Sequence, residues 1–399
     1  MTPRRLRILY LSNAFPPGVS GRFPAVNPAG HATETRMTEA LAKLTDLTSI
    51  TLLGGEAYGA LEPRDDSLGL EHELILWDRP PETWHRWRSW RQLRDYYRKS
   101  VAASGPPDVI LVRNLHPTFN RFVRWLRAHP PHPKIVLVFA DSSQLGHTMR
   151  PFRRFRYSLK PLYVPDDVAI GWYDGCISFG VGTEKFFAPL GIPWMWMPSA
   201  FNFAYQPPPE REVTGPITFG YFGALAAHAS VIPLVEEFVR AGVPGSLHAC
   251  GFGKQAAELQ ALAARHPGFV FDGLLPRQSD CLEWAQKVDV LINPRLNIWG
   301  LENSFPSKIF EYAMTGKAIL TTATGGVDRV LGDRALYLES ENFPASLRDQ
   351  VQSIATMDRA DLRKRGRAIR GHILEEFTWD RQAQQMTEFM ERIVHTTGR

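Results

Sequence analysis

Residues 288–323 read VDVLINPRLNIWGLENSFPSKIFEYAMTGKAILTTA. VDVLINP is a short apolar run of strand character. Pro306 suits a first helical turn, where its missing N–H costs nothing. SKIFEYAMT then predicts two to three helical turns, Gly316 a left-handed cap and KAILTT a second strand. Bare apolar strands on either side of a helix are the unit of an α/β fold, its parallel sheet covered on both faces. Within that unit Lys308 and Glu311 share one helix face close to the positive end. A cation beside helix N–H groups suits a phosphate, and a carboxylate one turn on suits the hydroxyls of a sugar. The same two residues would equally serve as a surface ion pair on a helix packed through Ile309, Phe310 and Met314.

The pattern extends in both directions. LRILYLS, SITLLG, ELILW, DVILVRN, KIVLVFA and GCISFG are strand candidates of the first half, and ITFGYFG, SLHACG and FVFDG of the second. Helical stretches separate them, among them residues 30–44 with Met37, Leu41 and Leu44 on one face. A chain of 399 residues exceeds the size at which single cores stop growing, so two domains are expected. FAYQPPPEREVTGP, with its proline run, makes a stiff connection between the halves. Doubly wound sheets hold ligands at the carboxyl ends of their strands. The loops expected there, NAFPPG, RNLHP, ADSSQLGH, GALAAHAS, GFGK, GLLPRQ and NPRLN, are small and polar. A cleft between two such faces suits a nucleotide and a second substrate.

Composition narrows the setting. Three scattered cysteines, Cys176, Cys250 and Cys281, lack metal spacing and suit a reducing cytosol. The first apolar run reads as a strand and is too short for a signal peptide, and no run is long enough to span a bilayer. The net charge is +5, yet residues 84–99 and 149–160 together carry +10, so the rest of the chain is net acidic. On a helix, Trp87, Trp90, Leu93 and Tyr97 share one arc with Arg86 and Arg94, and Arg91 flanks it. Arginines interleaved with tryptophans predict an interfacial face on an anionic membrane. Nucleic acid is the competing partner for basic and aromatic residues.

Other motifs are weaker. CGFGKQ places Gly251 and Gly253 where a backbone can approach a phosphate or base, but the third glycine of a dinucleotide fingerprint is missing. The carboxylate pairs Asp65–Asp66 and Asp166–Asp167 are adjacent and read as solvated, and the histidines show no zinc spacing. Metal-free chemistry without a cofactor is expected. Asp141 ends a first-half strand, where it would either deprotonate an acceptor hydroxyl or cap the next segment beside Ser142 and Ser143.

SFPSKIFEYAMTGKAIL, with VDVLINP before it and TGGVDRVLG after it, resembles the nucleotide-sugar site of GT-B glycosyltransferases. The nearest resemblance is to glycosyltransferase family 4 and its relatives in bacterial exopolysaccharide assembly. ILYLSNAFPPG with AGHATETRMTEALAKL looks like the family's first strand, glycine loop and first helix. The family motif is a glutamate, seven residues and a second glutamate. Glu311 falls on the second position, which binds the donor ribose, while Asn303 stands at the first and Glu302 is one residue out of register. The family's arginine and lysine after the GxL-like turn are absent, and GALAAHAS offers only His228. The resemblance then leaves the diphosphate to Lys308, helix N-termini and backbone N–H groups, with Gly223 allowing close approach.

The fold expected is GT-B, two Rossmann-like doubly wound parallel-sheet domains facing a cleft. Residues 1–203 form the acceptor side, 204–377 bind the sugar nucleotide, and 378–399 cross back as a helix, as in relatives. The expected donor contacts are Gly223, Gly251, Phe252, Gly253, Leu274, Ser304, Phe305, Pro306, Ser307, Lys308 and Glu311. Gly30, His31 and Asn114 are expected at an acceptor or phosphate loop, although a histidine at a helix start is often structural. Asp141 and Lys308 are the catalytic candidates; the position of Asp141 resembles that of the base in a related inverting GT-B enzyme. The reaction expected is transfer from a UDP- or GDP-sugar to a saccharide, on a polyprenyl-diphosphate carrier at the inner face of the cell membrane. A nucleotide-sugar epimerase of the same fold and a nucleic-acid-binding protein are the alternatives.

Overall fold

The computed structural model describes residues 4–12, 28–54, 74–78, 82–140, 166–201, 207, 215–275, 277–296 and 305–396. The chain divides into two compact units, Met1–Asn202 with Trp379–Arg399, and Phe203–Thr378.

In the first unit β1 (Arg7–Ser12), β2 (Asp46–Gly54), β3 (Leu74–Asp78), β4 (Val109–Arg113), β5 (Lys134–Phe139), β6 (Gly175–Ser178) and β7 (Trp194–Trp196) form one sheet. Its order is β3-β2-β1-β4-β5-β6-β7, and every neighbouring pair is parallel. All five residues of β4 are buried, as a sheet covered on both faces requires. Helix α1 (Pro28–Leu44) covers one face through Met37, Ala40 and Leu41. The last helix, Trp379–His395, completes that same core with Trp379, Met386, Phe389 and Met390. Gly175 permits its close approach, since a Cβ there would come within 2.2 Å of Ile393 Cδ1.

Helices α2 (Glu82–Ser104) and α3 (Pro117–Arg127) cover the other face. The aromatic stripe of α2 corrects an expectation. Trp90, Leu93 and Tyr97 point inward, and Trp90 is only 8% exposed. The guanidinium carbons of Arg94 and Arg121 lie 5.3 and 5.1 Å from the Trp90 ring centroid. The interleaved arginines therefore cover a core tryptophan and carry their charge outward along its ring. Trp90 does not enter a headgroup layer. Arg91 is exposed, while Arg94 is half-buried and pairs with Asp95 at 2.7 Å. The side chains of Arg86 and Trp87, and the whole of 149–160, lie outside the described residues. Among the described residues no helix is long and apolar enough to cross a membrane.

The second unit holds β8 (Phe219–Ala224), β9 (Leu247–Phe252), β10 (Phe269–Phe271), β11 (Val290–Asn293), β12 (Ala318–Thr322) and β13 (Leu336–Leu338). They form a parallel sheet in the order β10-β9-β8-β11-β12-β13. Around it run α4 (Val231–Ala241), α5 (Ala256–Arg265), α6 (Gln278–Trp284), α7 (Lys308–Met314), α8 (Phe343–Ala355) and α9 (Arg359–Glu376). Gly316 ends α7 in the left-handed region at φ +72°. Gly366 lets α9 lie directly on that turn, because a Cβ at 366 would sit 1.9 Å from the Gly316 oxygen. Arg359 pairs with Asp289 at 2.8 Å and ties α9 to the entry of β11. In both sheets the strand order reverses at the centre, between β1 and β4 and between β8 and β11. Those are the points at which such sheets take ligands.

Candidate functional site

The carboxyl end of β8 presents Tyr221 and Gly223, and α7 brings Lys308 against them. Lys308 Nζ donates to the Tyr221 hydroxyl at 2.8 Å, and that hydroxyl donates to the Ala224 carbonyl at 2.6 Å. Burial pulls the Lys308 ammonium down to about 7; Glu311 opposes the shift and Arg295 adds to it. Gly223 has φ +140°, and a Cβ there would lie 3.0 Å from Lys308 Nζ. Only glycine leaves room for the lysine against that backbone. Gly251 is closer still, because a Cβ would meet the Gly223 oxygen at 1.9 Å.

Arg295, just beyond β11, is the residue that sequence reasoning missed. Its carbonyl accepts from the hydroxyls of Thr322 and Thr324 at the end of β12, which fixes the loop. Its Nε is buried without a hydrogen-bond partner, and burial pulls the guanidinium down to about 10, still charged at neutral pH. His228, in the turn before α4, is pushed down by partial burial, then by Arg295 and Lys308. Three basic side chains thus feel one another's fields around a glycine backbone, with Glu311 the acid set against Lys308. The sequence offered NPRLN only as one of several polar strand-end loops; the reversal of sheet order beside it is seen in the structure.

Tyr312 fixes the helix that carries Lys308 and Glu311. Its hydroxyl donates to the Phe222 carbonyl at 2.9 Å and accepts from the Phe222 N–H at 3.2 Å. This clamps α7 to β8. Glu311 is half-buried one turn into the helix.

The other expected residues divide. Phe252 and Leu274 are 61% and 62% exposed on neighbouring strand ends, a free apolar pair able to face a planar ring. Gly253 leaves no space for a side chain, the Leu225 oxygen lying 2.2 Å from its Cβ direction. Phe305 is corrected: its ring is buried 5.2 Å from that of Phe310 and serves the core. Pro306 is buried and Ser307 exposed, while Ser304 lies outside the described residues. In the first unit Gly30 and His31 fall within the first turn of α1, and the His31 side chain is outside the described residues. Asn114, in the left-handed region at φ +53°, accepts at Oδ1 from Ala140 N at 2.9 Å and so ties the end of β4 to that of β5. Asp141 lies outside the described residues. Among the described residues no three His, Cys, Asp or Glu side chains gather as metal ligands.

Solved structures share this architecture. HepE of Anabaena in complex with UDP is 13% identical with a TM-score of 0.64, covering 97% of this chain and 100% of its own. Sucrose-phosphate synthase from Thermosynechococcus elongatus is 14% identical with a TM-score of 0.64, covering 97% and 99%. The lipopolysaccharide outer core galactosyltransferase WaaB is 13% identical with a TM-score of 0.61, covering 96% and 99%. The chain has the two-domain GT-B fold of these structures, and its residues 216–357, within the second unit, match the family described as glycosyl transferases group 1. No curated protein sequence matches it. Lys308, Arg295 and Glu311 fall within the matched residues 216–357, at the reversal point of the second sheet.

Proposed function

We propose that this chain is a glycosyltransferase that takes a UDP- or GDP-sugar in the group 1 domain. The half-buried cation pair Lys308 and Arg295, set around Gly223 with Glu311 the acid beside it, is the observation that carries the reading. Buried charge is costly unless something neutralises it, and a nucleotide diphosphate supplies the opposite sign at a backbone shaped for close approach. Glu311 takes the ribose hydroxyls, and Phe252 with Leu274 flanks the base. The acceptor hydroxyl attacks the anomeric carbon as the bond to the diphosphate breaks. The departing electron pair stays on a diphosphate held by Lys308 and Arg295. Asp141 takes the acceptor proton. The reading uses no metal and no cofactor.

The acceptor in this proposal is a saccharide on a polyprenyl diphosphate, met at an anionic membrane surface on the cytoplasmic side. Exposed Arg88, Arg91, Arg98 and Arg124 on α2 and α3 supply the attraction, at ~1 kcal/mol for each basic residue near such a surface. A thermal-shift screen of sugar nucleotides tests the donor half. A true donor raises the melting temperature progressively as its concentration exceeds its dissociation constant. No shift with any UDP- or GDP-sugar at millimolar concentration would remove the reading.

A further inference from the structure

The first sheet also reverses, between β1 and β4, and a buried arginine stands there. Arg113 is the last residue of β4, Tyr10 lies on β1 and Glu34 on α1. All three are buried, at 8%, 0% and 3% exposure. Arg113 Nε lies 3.1 Å from Glu34 Oε2, and the Tyr10 hydroxyl donates to Glu34 Oε1. The guanidinium carbon of Arg113 sits 4.9 Å from the Phe179 ring centroid. Glu34 from α1 and Phe179 from just beyond β6 therefore flank this side chain, with Tyr10 of β1 on the same carboxylate. Yet among the described residues Arg113 Nη1 is buried without any hydrogen-bond partner, and so is Glu34 Oε2 beside it.

An arginine kept only to neutralise Glu34 would spend its fork on the carboxylate. Here Nε only makes an ion-pair approach to Glu34, and the buried Nη1 donor is left unmade, an arrangement native proteins avoid unless a ligand completes it. The surroundings favour an anion. Helix α1 starts at Pro28, within two turns upstream of Glu34, so the positive end of its dipole is carried by the same helix.

We propose that Arg113 anchors an oxyanion subsite at the β1/β4 reversal, filled by a phosphate or carboxylate group of the acceptor. The inference rests on the donor lying in the second unit, as proposed above. Glu34 positions the guanidinium and also opposes the anion, so the pair sets both the geometry and the strength of the subsite.

The experiment is calorimetric titration of the full chain with pyrophosphate, and separately with glucuronate, under saturating UDP. A parallel series in Lys308→Met removes the second-unit site. Arg113→Gln should weaken the probe that fits by at least about tenfold and leave UDP affinity unchanged. Glu34→Gln should bind the same probe equally or more tightly, because an opposing charge has gone while Tyr10 keeps a partner. Binding of pyrophosphate alone identifies a phosphorylated acceptor; binding of glucuronate alone identifies an acidic sugar. Unchanged probe affinity in Arg113→Gln overturns the proposal. So does equal weakening in both variants with lowered melting temperatures, which would mark a structural ion pair. Loss of UDP affinity in Arg113→Gln would place the group on the donor instead. Failure of the wild-type chain to bind UDP would count against the donor reading alone, since the Lys308→Met series still reads Arg113.

Discussion

Lys308 Nζ hydrogen-bonds the Tyr221 hydroxyl and lies 4.4 Å from the centroid of the same ring. The ammonium is thus folded back on a phenol, which gives it a partner but no countercharge. Burial has already drawn its proton affinity down. An anion arriving at Gly223 would meet a lysine that gains more from it than an exposed one would.

Lys308→Met and Arg295→Gln should each weaken UDP binding by roughly ten- to a hundredfold, the scale of a lost charge-assisted hydrogen bond. Calorimetry on both variants, with circular dichroism to confirm folding, checks this. If only Lys308→Met weakens binding, the diphosphate-binding role of Arg295 is wrong.

The lowered Lys308 value of about 7 has two signs to it. The free lysine loses its proton as pH rises through about 7, and a bound diphosphate would restore it. UDP affinity should fall as pH climbs from 7 to 9, with proton uptake visible as a buffer-dependent binding enthalpy; Lys308→Met should abolish both. The unliganded fold should move the other way. Between about 7 and the ordinary lysine value near 10.4 the unfolded chain binds more protons, so stability attributable to Lys308 rises with pH.

Tyr312→Phe removes the hydroxyl that satisfies both the N–H and the carbonyl of Phe222. Leaving buried backbone groups unpaired costs about 1–3 kcal/mol. The urea midpoint should drop accordingly. Nucleotide affinity should fall too, because α7 carries both Lys308 and Glu311. An unaltered midpoint would show that water replaces the clamp.

For the first unit, Trp90→Ala should destabilise the fold by ~3–5 kcal/mol, as for a large core aromatic. Arg91→Glu with Arg98→Glu should leave the melting temperature nearly unchanged and reduce sedimentation with anionic vesicles. Wild-type binding to such vesicles should weaken at high salt, where attraction is screened within about 3 Å at 1 M. Equal vesicle binding by wild type and the double variant would exclude this surface.

Asp141→Asn should cut transfer by ~10²–10⁴ with UDP affinity nearly unchanged. A loss below tenfold, or a product that retains the donor's anomeric configuration, would return Asp141 to a capping role.

The alternation of strands and helices was legible because parallel strands buried on both faces, such as VILVR and AILTT, read as unbroken apolar runs. Strands β7 and β13 were not, since WMW and LYL are three-residue edge strands without a β-branched residue, unlike the equally short β10 with its Val270. Lys308 and Glu311 could be found because they are one turn apart on one helix. Arg295 and Arg113 could not be paired with their sites, because each is joined to its neighbours only by the sheet order. Trp90 misled for a physical reason: an arginine over a core indole and an arginine beside a lipid headgroup have the same helical spacing.

The last helix has a consequence for the order in which the molecule is made. Trp379, Met386, Phe389 and Met390 finish a core begun by β1 and α1. The ribosome, however, must first complete the second unit. At about 5–20 residues per second, the intervening chain takes on the order of ten to forty seconds to emerge. For that interval one face of the first sheet has α1 but lacks the rest of its cover, and the nascent chain carries a sticky groove that a chaperone or the later helix must occupy.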